Sequence, residues 1–236
     1  MLLIDIGNTR VKTCLCKDGQ LYPCDKITEG ISPSDDIVIC SVGPSHPEIE
    51  NLLHGHKVLR LTTDSPEARR FIPDIPEGYG VDRLAADIAC TCAFPKSYTG
   101  TVLVIDAGTC ITYDLLSIKN GQAEILGGTI SPGIRLRLEA MHNYTAALPL
   151  LSAQGPSPVI GYNTETCMRG GAVNGVLWEI EGYIRTVLKQ HPQLKVFLTG
   201  GDAIALPQDL QDIITTDPML LFRGLQCMFV SKKNGD

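Results

Sequence analysis

Two stretches of the chain place a carboxylate, a glycine and a hydroxyl just beyond an apolar run. In the first, Leu2-Leu3-Ile4 leads into Asp5-Ile6-Gly7-Asn8-Thr9; in the second, Val102-Leu103-Val104-Ile105 leads into Asp106-Ala107-Gly108-Thr109. Glycine lets the backbone lie against a phosphate with no side chain between them. Its exposed N–H groups donate to phosphate oxygens, and a neighbouring aspartate can hold a cation that bridges them. Together the two turns read as a cradle for a nucleotide. Either one alone is equally a hairpin turn, which Asp, Asn and Gly favour. Their recurrence at half-chain spacing, each between apolar strands, argues for a duplicated unit.

Two further segments carry chemistry. Leu198-Thr199-Gly200-Gly201-Asp202 reads as a strand feeding a Gly-Gly turn at the start of a helix, where backbone can lie flat against a nucleotide; taken alone it is an ordinary strand-to-helix turn. Tyr79-Gly80-Val81-Asp82-Arg83 sets a carboxylate beside a guanidinium at a helix start. Asp82 there can take a proton from an alcohol and Arg83 can grip an anion, although a helix cap with a solvated arginine is the plainer reading.

The elements that must position these groups follow from hydrophobic period. Leu2 to Ile6, Val11 to Cys16, Ile37 to Ser41 and Val58 to Leu61 read as strands, and Asp82 to Phe94 as a helix with Leu84, Ala85, Ile88, Ala89 and Cys92 on one face. A second series follows: strands Val102 to Asp106, Cys110 to Leu116, Gln122 to Ile130 and Lys195 to Leu198, with helices at Arg135 to His142, Thr164 to Gln190 and Met219 to Val230. The expected architecture is α/β, in two like halves at residues 1–100 and 101–236 with a cleft between them.

Composition narrows the function. The 236 residues are 44% hydrophobic, enough for a large core, and the net charge is −6 with no dense basic block. Binding to nucleic acid or an anionic membrane is therefore not expected. The run Ala140 to Thr164 is uncharged but broken by Pro149, Gly155, Pro156 and Pro158, so it reads as a loop and not a membrane span. The opening Met1-Leu2-Leu3-Ile4-Asp5 lacks the basic start of a secretory signal, and nine dispersed cysteines suit a reducing cytosol. The pairs Cys14-x-Cys16 and Cys90-x-Cys92 have no histidine at zinc spacing, and His54-x-His56 reads as a solvated connector. No Walker-type G-x-x-x-x-G-K-S/T occurs.

The ordered set Asp5 to Lys12, Gly80-Val81-Asp82-Arg83, Asp106-Ala107-Gly108-Thr109, Gly127-Gly128-Thr129-Ile130-Ser131-Pro132-Gly133, Asn163-Thr164 and Thr199-Gly200-Gly201-Asp202 resembles that of the type III pantothenate kinases, also called the Bvg accessory factor family. The resemblance implies duplicated ribonuclease-H-like halves, the fold of acetate kinase, sugar kinases, Hsp70 and actin. It implies ATP-dependent phosphorylation of the primary hydroxyl of pantothenate to 4'-phosphopantothenate, the first step of coenzyme A biosynthesis, in a cytoplasmic homodimer. Carried onto this chain, Asp5, Ile6, Gly7, Asn8, Thr9, Arg10, Val11 and Lys12 would embrace the ATP phosphates, with Asp5 on their Mg²⁺. Thr109, Gly200 and Gly201 would complete the ATP site, and Asp106 would hold a monovalent cation, K⁺ or NH₄⁺. Asp82 would be the general base; Gly80, Val81, Asp82 and Arg83 would bind pantothenate, joined by Thr164 from the partner subunit.

Two departures stand out. The Pro-rich stretch Phe71 to Gly78 has no clear counterpart of the family's substrate-covering residue, a place Tyr79 is the candidate to take. Cys110 follows the second turn where a small residue is usual, and is expected to pack. Gly170-Gly171 would let another backbone approach the long helix. Competing readings are a kinase of the same fold for another small acceptor, and a non-enzymatic nucleotide-binding accessory factor of transcription.

Overall fold

The computed structural model describes residues 1–24, 32, 35–44, 47–202 and 204–233. One sheet contains β1 (Leu2–Ile6), β2 (Val11–Lys17), β3 (Gln20–Cys24), β4 (Ile37–Ser41) and β5 (Val58–Arg60), in the order β3-β2-β1-β4-β5. The other contains β6 (Thr99–Ala107), β7 (Cys110–Lys119), β8 (Gln122–Pro132), β9 (Lys195–Gly200) and β10 (Ile214–Thr216), in the order β10-β9-β6-β7-β8. The two orders are the same once β6 to β10 are matched to β1 to β5. In each, the first strand runs antiparallel to the second and parallel to the fourth. The duplication suggested by two short turns therefore extends through strand order and direction.

Strand alternation aims the key carboxylates. Leu2, Ile4 and Ile6 of β1 pack on one face with Ile49 and Leu53 of α1 (Pro47–Leu53), so Leu3 and Asp5 project from the other. In β6, Leu103, Ile105 and Ala107 pack against Val176, Ile180 and Ile184 of α5 (Thr164–Gln190), leaving Val102, Val104 and Asp106 on the opposite face. Leu3 and Val104 then join one shared core with α3 (Val81–Cys92) and α6 (Leu220–Lys233). Helices α3 and α6 so lie between the sheets, touching most closely where Gly224 meets the Ala85 carbonyl. A side chain at Gly224 would separate them.

Helix α5 begins at Asn163, whose Oδ1 accepts from the Thr166 N–H at 2.9 Å while Thr166 Oγ1 accepts from the Asn163 N–H at 3.2 Å. Its predicted bounds match. Helix α4 (Ile134–Asn143) follows β8, and α2 (Pro66–Arg69) is a single turn. The sequence pattern leaves β3, α1, α2 and β10 unmarked. β3 carries Pro23, which the hydrogen-bond ladder tolerates here because the strand lies at a sheet edge.

Two expectations need correction. Gly200-Gly201-Asp202 does not open a helix: Gly200 adopts φ +113°, and the next helical element is the 3₁₀ turn Gln208–Ile213 behind Pro207. Gly170 meets the chain's own Pro158 carbonyl, so the close approach it permits is to a loop of its own subunit.

Candidate active site

The Gly7-Asn8-Thr9 and Gly108-Thr109 turns face each other across a cleft of about 390 Å³, bordered by Asp5, Asp82 and Asp106. Thr9 Oγ1 and Thr109 Oγ1 are 2.9 Å apart, so equivalent hydroxyls of the two repeats meet. The backbone behind each turn repeats as well. The Val42 and Gly43 N–H groups donate to the Ile6 carbonyl, each at 3.0 Å; those of Gly201 and Asp202 donate to the Ala107 carbonyl at 3.0 and 3.1 Å. A larger depression of about 420 Å³ lies beside Met1 and the end of α6. Four of its charges form pairs, Lys233 with Asp36 at 3.4 Å and the Met1 amine with Asp35 at 3.6 Å. The chemistry converges in the first cleft.

The carboxylates share one electrostatic field. Burial pushes Asp5 above the usual carboxylate range; Lys12, 3.9 Å from its Oδ2, pulls the other way, and the charge of Asp82 pushes it up again. Burial also lifts Asp106 to about 6, opposed by Lys12 and reinforced by Asp82 and Asp5. Each ionised member raises the cost of ionising the others, a cost that Lys12 partly offsets. Cys40 Sγ donates to Asp5 Oδ1 at 3.6 Å. Asp82 is the second residue of α3, and its Oδ1 accepts from the Arg83 N–H at 2.9 Å beside the positive end of the helix.

The remaining expected residues separate into those at the cleft and those away from it. Asn8, Arg10, Lys12 and Gly201 border it; Ile6 and Val11 hold the first turn from β1 and β2. Gly200 lines an adjoining depression of about 270 Å³, and Asp202 borders both. Gly80 is the N-cap of α3 and Val81 its first residue. Thr164, exposed at the first turn of α5, does not border this cleft. Cys110 is exposed and borders it, contrary to the expected packing role: it begins β7 on the outward side of the turn.

Arg83 borders the cleft but is not solvated. Its side chain is 15% exposed and ion-paired with Asp114, itself 2% exposed. Nε donates to both Asp114 oxygens at 3.1 Å, and Nη2 donates to Oδ1. The guanidinium lies 4.5 Å from the centre of the Tyr79 ring. The Tyr79 hydroxyl stands 2.6 Å from Asp114 Oδ1 and 2.7 Å from Asp87 Oδ2, so Tyr79 supports the arginine from behind.

Three residues of this arrangement had no motif to mark them. Arg135, in the first turn of α4, borders the cleft and donates from Nη2 to Thr9 Oγ1 at 3.2 Å. Asp114 and Asp87 are buried acids in apolar elements, which is a detectable signal, and Asp87 follows Arg83 at helical i,i+4 spacing.

The family model described as type III pantothenate kinase matches residues 24–186. A type III pantothenate kinase of Phocaeicola vulgatus is 35% identical, the match covering 95% of each chain. One from Flavobacterium johnsoniae is 34% identical, with both chains covered in full. Among solved structures, a protein described as a Baf family transcriptional activator from Campylobacter jejuni superposes with a TM-score of 0.60 at 24% identity, covering 99% of this chain and 100% of that one. That likeness concerns the fold.

Proposed function

The chain belongs to the type III pantothenate kinase family and phosphorylates pantothenate with ATP in coenzyme A biosynthesis, and we propose that the cleft between its two glycine turns is where it does so. The observation that carries this reading is the convergence of Asp5, Asp82 and Asp106 on one cavity with both turns. The duplicated fold of the actin and sugar-kinase superfamily supplies the frame; the expected division at residues 1–100 and 101–236 falls two residues inside β6, so we place it just before Thr99.

The roles follow from placement. Gly7, Asn8 and Thr9, with Arg10, Lys12 and Thr109, receive the phosphates, while Gly200 and Gly201 offer bare backbone to the nucleoside. Asp82 accepts the proton of the primary hydroxyl as that oxygen attacks the γ-phosphorus, and the bond to the β–γ bridging oxygen breaks to release ADP. Asp82 suits this task because it stands in the cleft with one oxygen held by the Arg83 N–H and the other outside any hydrogen bond of the described residues. Arg83 meets the carboxylate of pantothenate. Positioning and charge neutralisation account for most of catalysis in phosphoryl transfer, so this set is sufficient.

The donors also fit cations. Asp5, a carboxylate bordering the cleft, is the protein contact we propose for Mg²⁺ carried on ATP and water. Bound there, it would withdraw charge from the phosphates. Asp106 is flanked across the sheet by Thr112 and Thr199, so the groups around it are oxygen donors, the kind that K⁺ or NH₄⁺ takes.

A homodimer is supported by exposed apolar side chains gathered before and along α5. Tyr144, Ile160 and Tyr162 are 89%, 84% and 79% exposed, and Trp178 is 55% exposed. Thr164 is exposed at the start of α5, two residues after Tyr162, and in such a dimer is the residue we propose to enter the partner's cleft. All nine cysteines are free thiols, as suits the reducing cytosol in which we place the enzyme; no helix of the described residues is long and apolar enough to cross a membrane.

Purified protein with Mg-ATP, K⁺ and pantothenate should release ADP and 4'-phosphopantothenate, and Asp82→Asn should abolish turnover without lowering the melting temperature. Full activity in that variant would remove Asp82 from its role. Light scattering should report a dimer, and a monomer with full activity would exclude a contribution from the partner's Thr164.

A further inference from the structure

The Arg83 guanidinium has five N–H donors arranged as a side-on fork, Nε with Nη2, and an end-on fork, Nη1 with Nη2. Asp114 occupies the side-on fork. Only the end-on fork remains for a ligand, and Arg83 borders the cleft. Asp114 is in turn held from behind. The Tyr79 oxygen lies within hydrogen-bond distance of carboxylates on both sides, yet its hydroxyl has one hydrogen. A proton on Asp87 resolves this: Asp87 donates to Tyr79, Tyr79 donates to Asp114, and Asp114 accepts from Arg83. The other Asp87 oxygen, Oδ1, is buried with no hydrogen-bond partner, which a neutral carboxyl tolerates far better than a charged one.

We propose that Asp114 is a positioning residue for the phosphoryl acceptor: with Tyr79 and a protonated Asp87 behind it, it fixes Arg83 so that the end-on fork meets the acceptor's carboxylate. The proposal rests on the reading of Arg83 as the pantothenate contact and adds how that contact is oriented. It also assigns selectivity. A freely rotating arginine would accept any anion; one held side-on favours a planar carboxylate arriving along the remaining edge.

Steady-state kinetics of the wild type, Asp114→Asn, Arg83→Ala and the double variant test it. Asp114→Asn should raise KM for pantothenate about tenfold, equivalent to about 1.4 kcal/mol, while KM for ATP stays within about twofold. The double variant should be no worse than Arg83→Ala, because Asp114 acts only through the arginine. The alcohol analogue of pantothenate, with a hydroxymethyl group in place of the carboxylate, should be used equally well by the wild type and Asp114→Asn. Should Asp114→Asn not fold, Tyr79→Phe removes only the relay hydroxyl and should raise KM for pantothenate in the same selective way. Losses that multiply in the double variant, or an equal penalty on the alcohol analogue, would overturn the positioning role. A wild type that turns over other acceptors but not pantothenate would instead overturn the acceptor reading beneath it.

Discussion

Gly200 ends β9 in the depression adjoining the proposed nucleotide cleft, and replacing it by alanine tests whether the turn geometry itself is required. Its φ of +113° is one that side-chain-bearing residues rarely adopt. An added Cβ would stand 2.5 Å from the Ala107 carbonyl carbon and 2.6 Å from the Ala107 nitrogen, and closer still to the Ala107 oxygen. These are backbone atoms inside the β6–β9 ladder, so neither strand can yield without breaking pairing. Backbone strain of about 1–3 kcal/mol and overpacking of about 1–3 kcal/mol together predict a loss of about 2–6 kcal/mol. For a chain of this size, where 1 kcal/mol shifts the melting temperature by about 2–4 °C, the expected drop is roughly 4–24 °C. The same displacement moves the Gly201 and Asp202 N–H groups off the Ala107 carbonyl, so KM for ATP should rise. Circular dichroism melting and ATP-dependent kinetics read both effects. Gly182→Ala is the control: in the interior of α5 with no atom within 4 Å of an added Cβ, it should gain about 0.5–1 kcal/mol. A Gly200→Ala protein that melts with the wild type and keeps its KM for ATP would refute the reasoning.

Other outcomes follow from the same geometry. Burial and the charge of Asp114 hold the Asp87 carboxyl well above its ordinary range, so the folded chain keeps a proton that the unfolded chain loses near pH 4. Its contribution to stability is complete below about pH 4 and is lost as pH rises toward the raised value; Asp87→Asn should therefore gain on the wild type as pH rises above about 4 in denaturant titrations, and a difference constant with pH would contradict it. Cys110 is exposed at the cleft, so an alkylating reagent should label it, and ATP with Mg²⁺ should slow that labelling while sparing exposed Cys167; equal protection of both would place the nucleotide elsewhere. Replacing all K⁺ by Na⁺ should depress the rate strongly, and Asp106→Asn should erase the difference between the two ions; a rate indifferent to the swap would remove the cation from the Asp106 turn.

Much of this was legible in the sequence because strand alternation and duplication are local signals. Asp5 and Asp106 each follow a buried strand, and the period of two that buries Leu2, Ile4 and Ile6 also fixes the direction of Asp5. The bounds of α5 were legible for a similar reason, since Asn163 caps a helix whose apolar residues recur at helical spacing. Non-local partners were not. Nothing in Gly80-Val81-Asp82-Arg83 announces that Arg83 will turn toward Asp114, because the two meet only when α3 packs across the face of the second sheet. Asp82 at a helix start was ambiguous between cap and base; in the structure the N-cap is Gly80, and the Asp82 carboxylate accepts from the Arg83 N–H while bordering the cleft where we propose it acts. Gly200 misled because Gly-Gly after a strand serves equally to begin a helix or to bend the chain, and only φ decides.

The duplicated frame raises the question of how two equivalent aspartates could take the different roles proposed for them. Their strands, neighbours and turns correspond, so the difference must lie in side chains on the flanking strands. Across from Asp5 stand Lys12 and Cys40; across from Asp106 stand Thr112 and Thr199. Lys12 supplies a permanent positive charge on the first side, where it lowers the cost of an ionised Asp5 and remains 41% exposed to meet a phosphate. The second side has hydroxyls in the corresponding places and no lysine of its own; Lys12 acts on Asp106 only from the other repeat, and in our proposal an ion from solution completes the neutralisation. The monovalent ion we propose at Asp106 would in this sense be the consequence of a threonine standing where the first repeat has a lysine. Thr112→Lys should then supply internally what the ion supplies from outside, and the variant should keep a larger fraction of its K⁺ rate in Na⁺ than the wild type does.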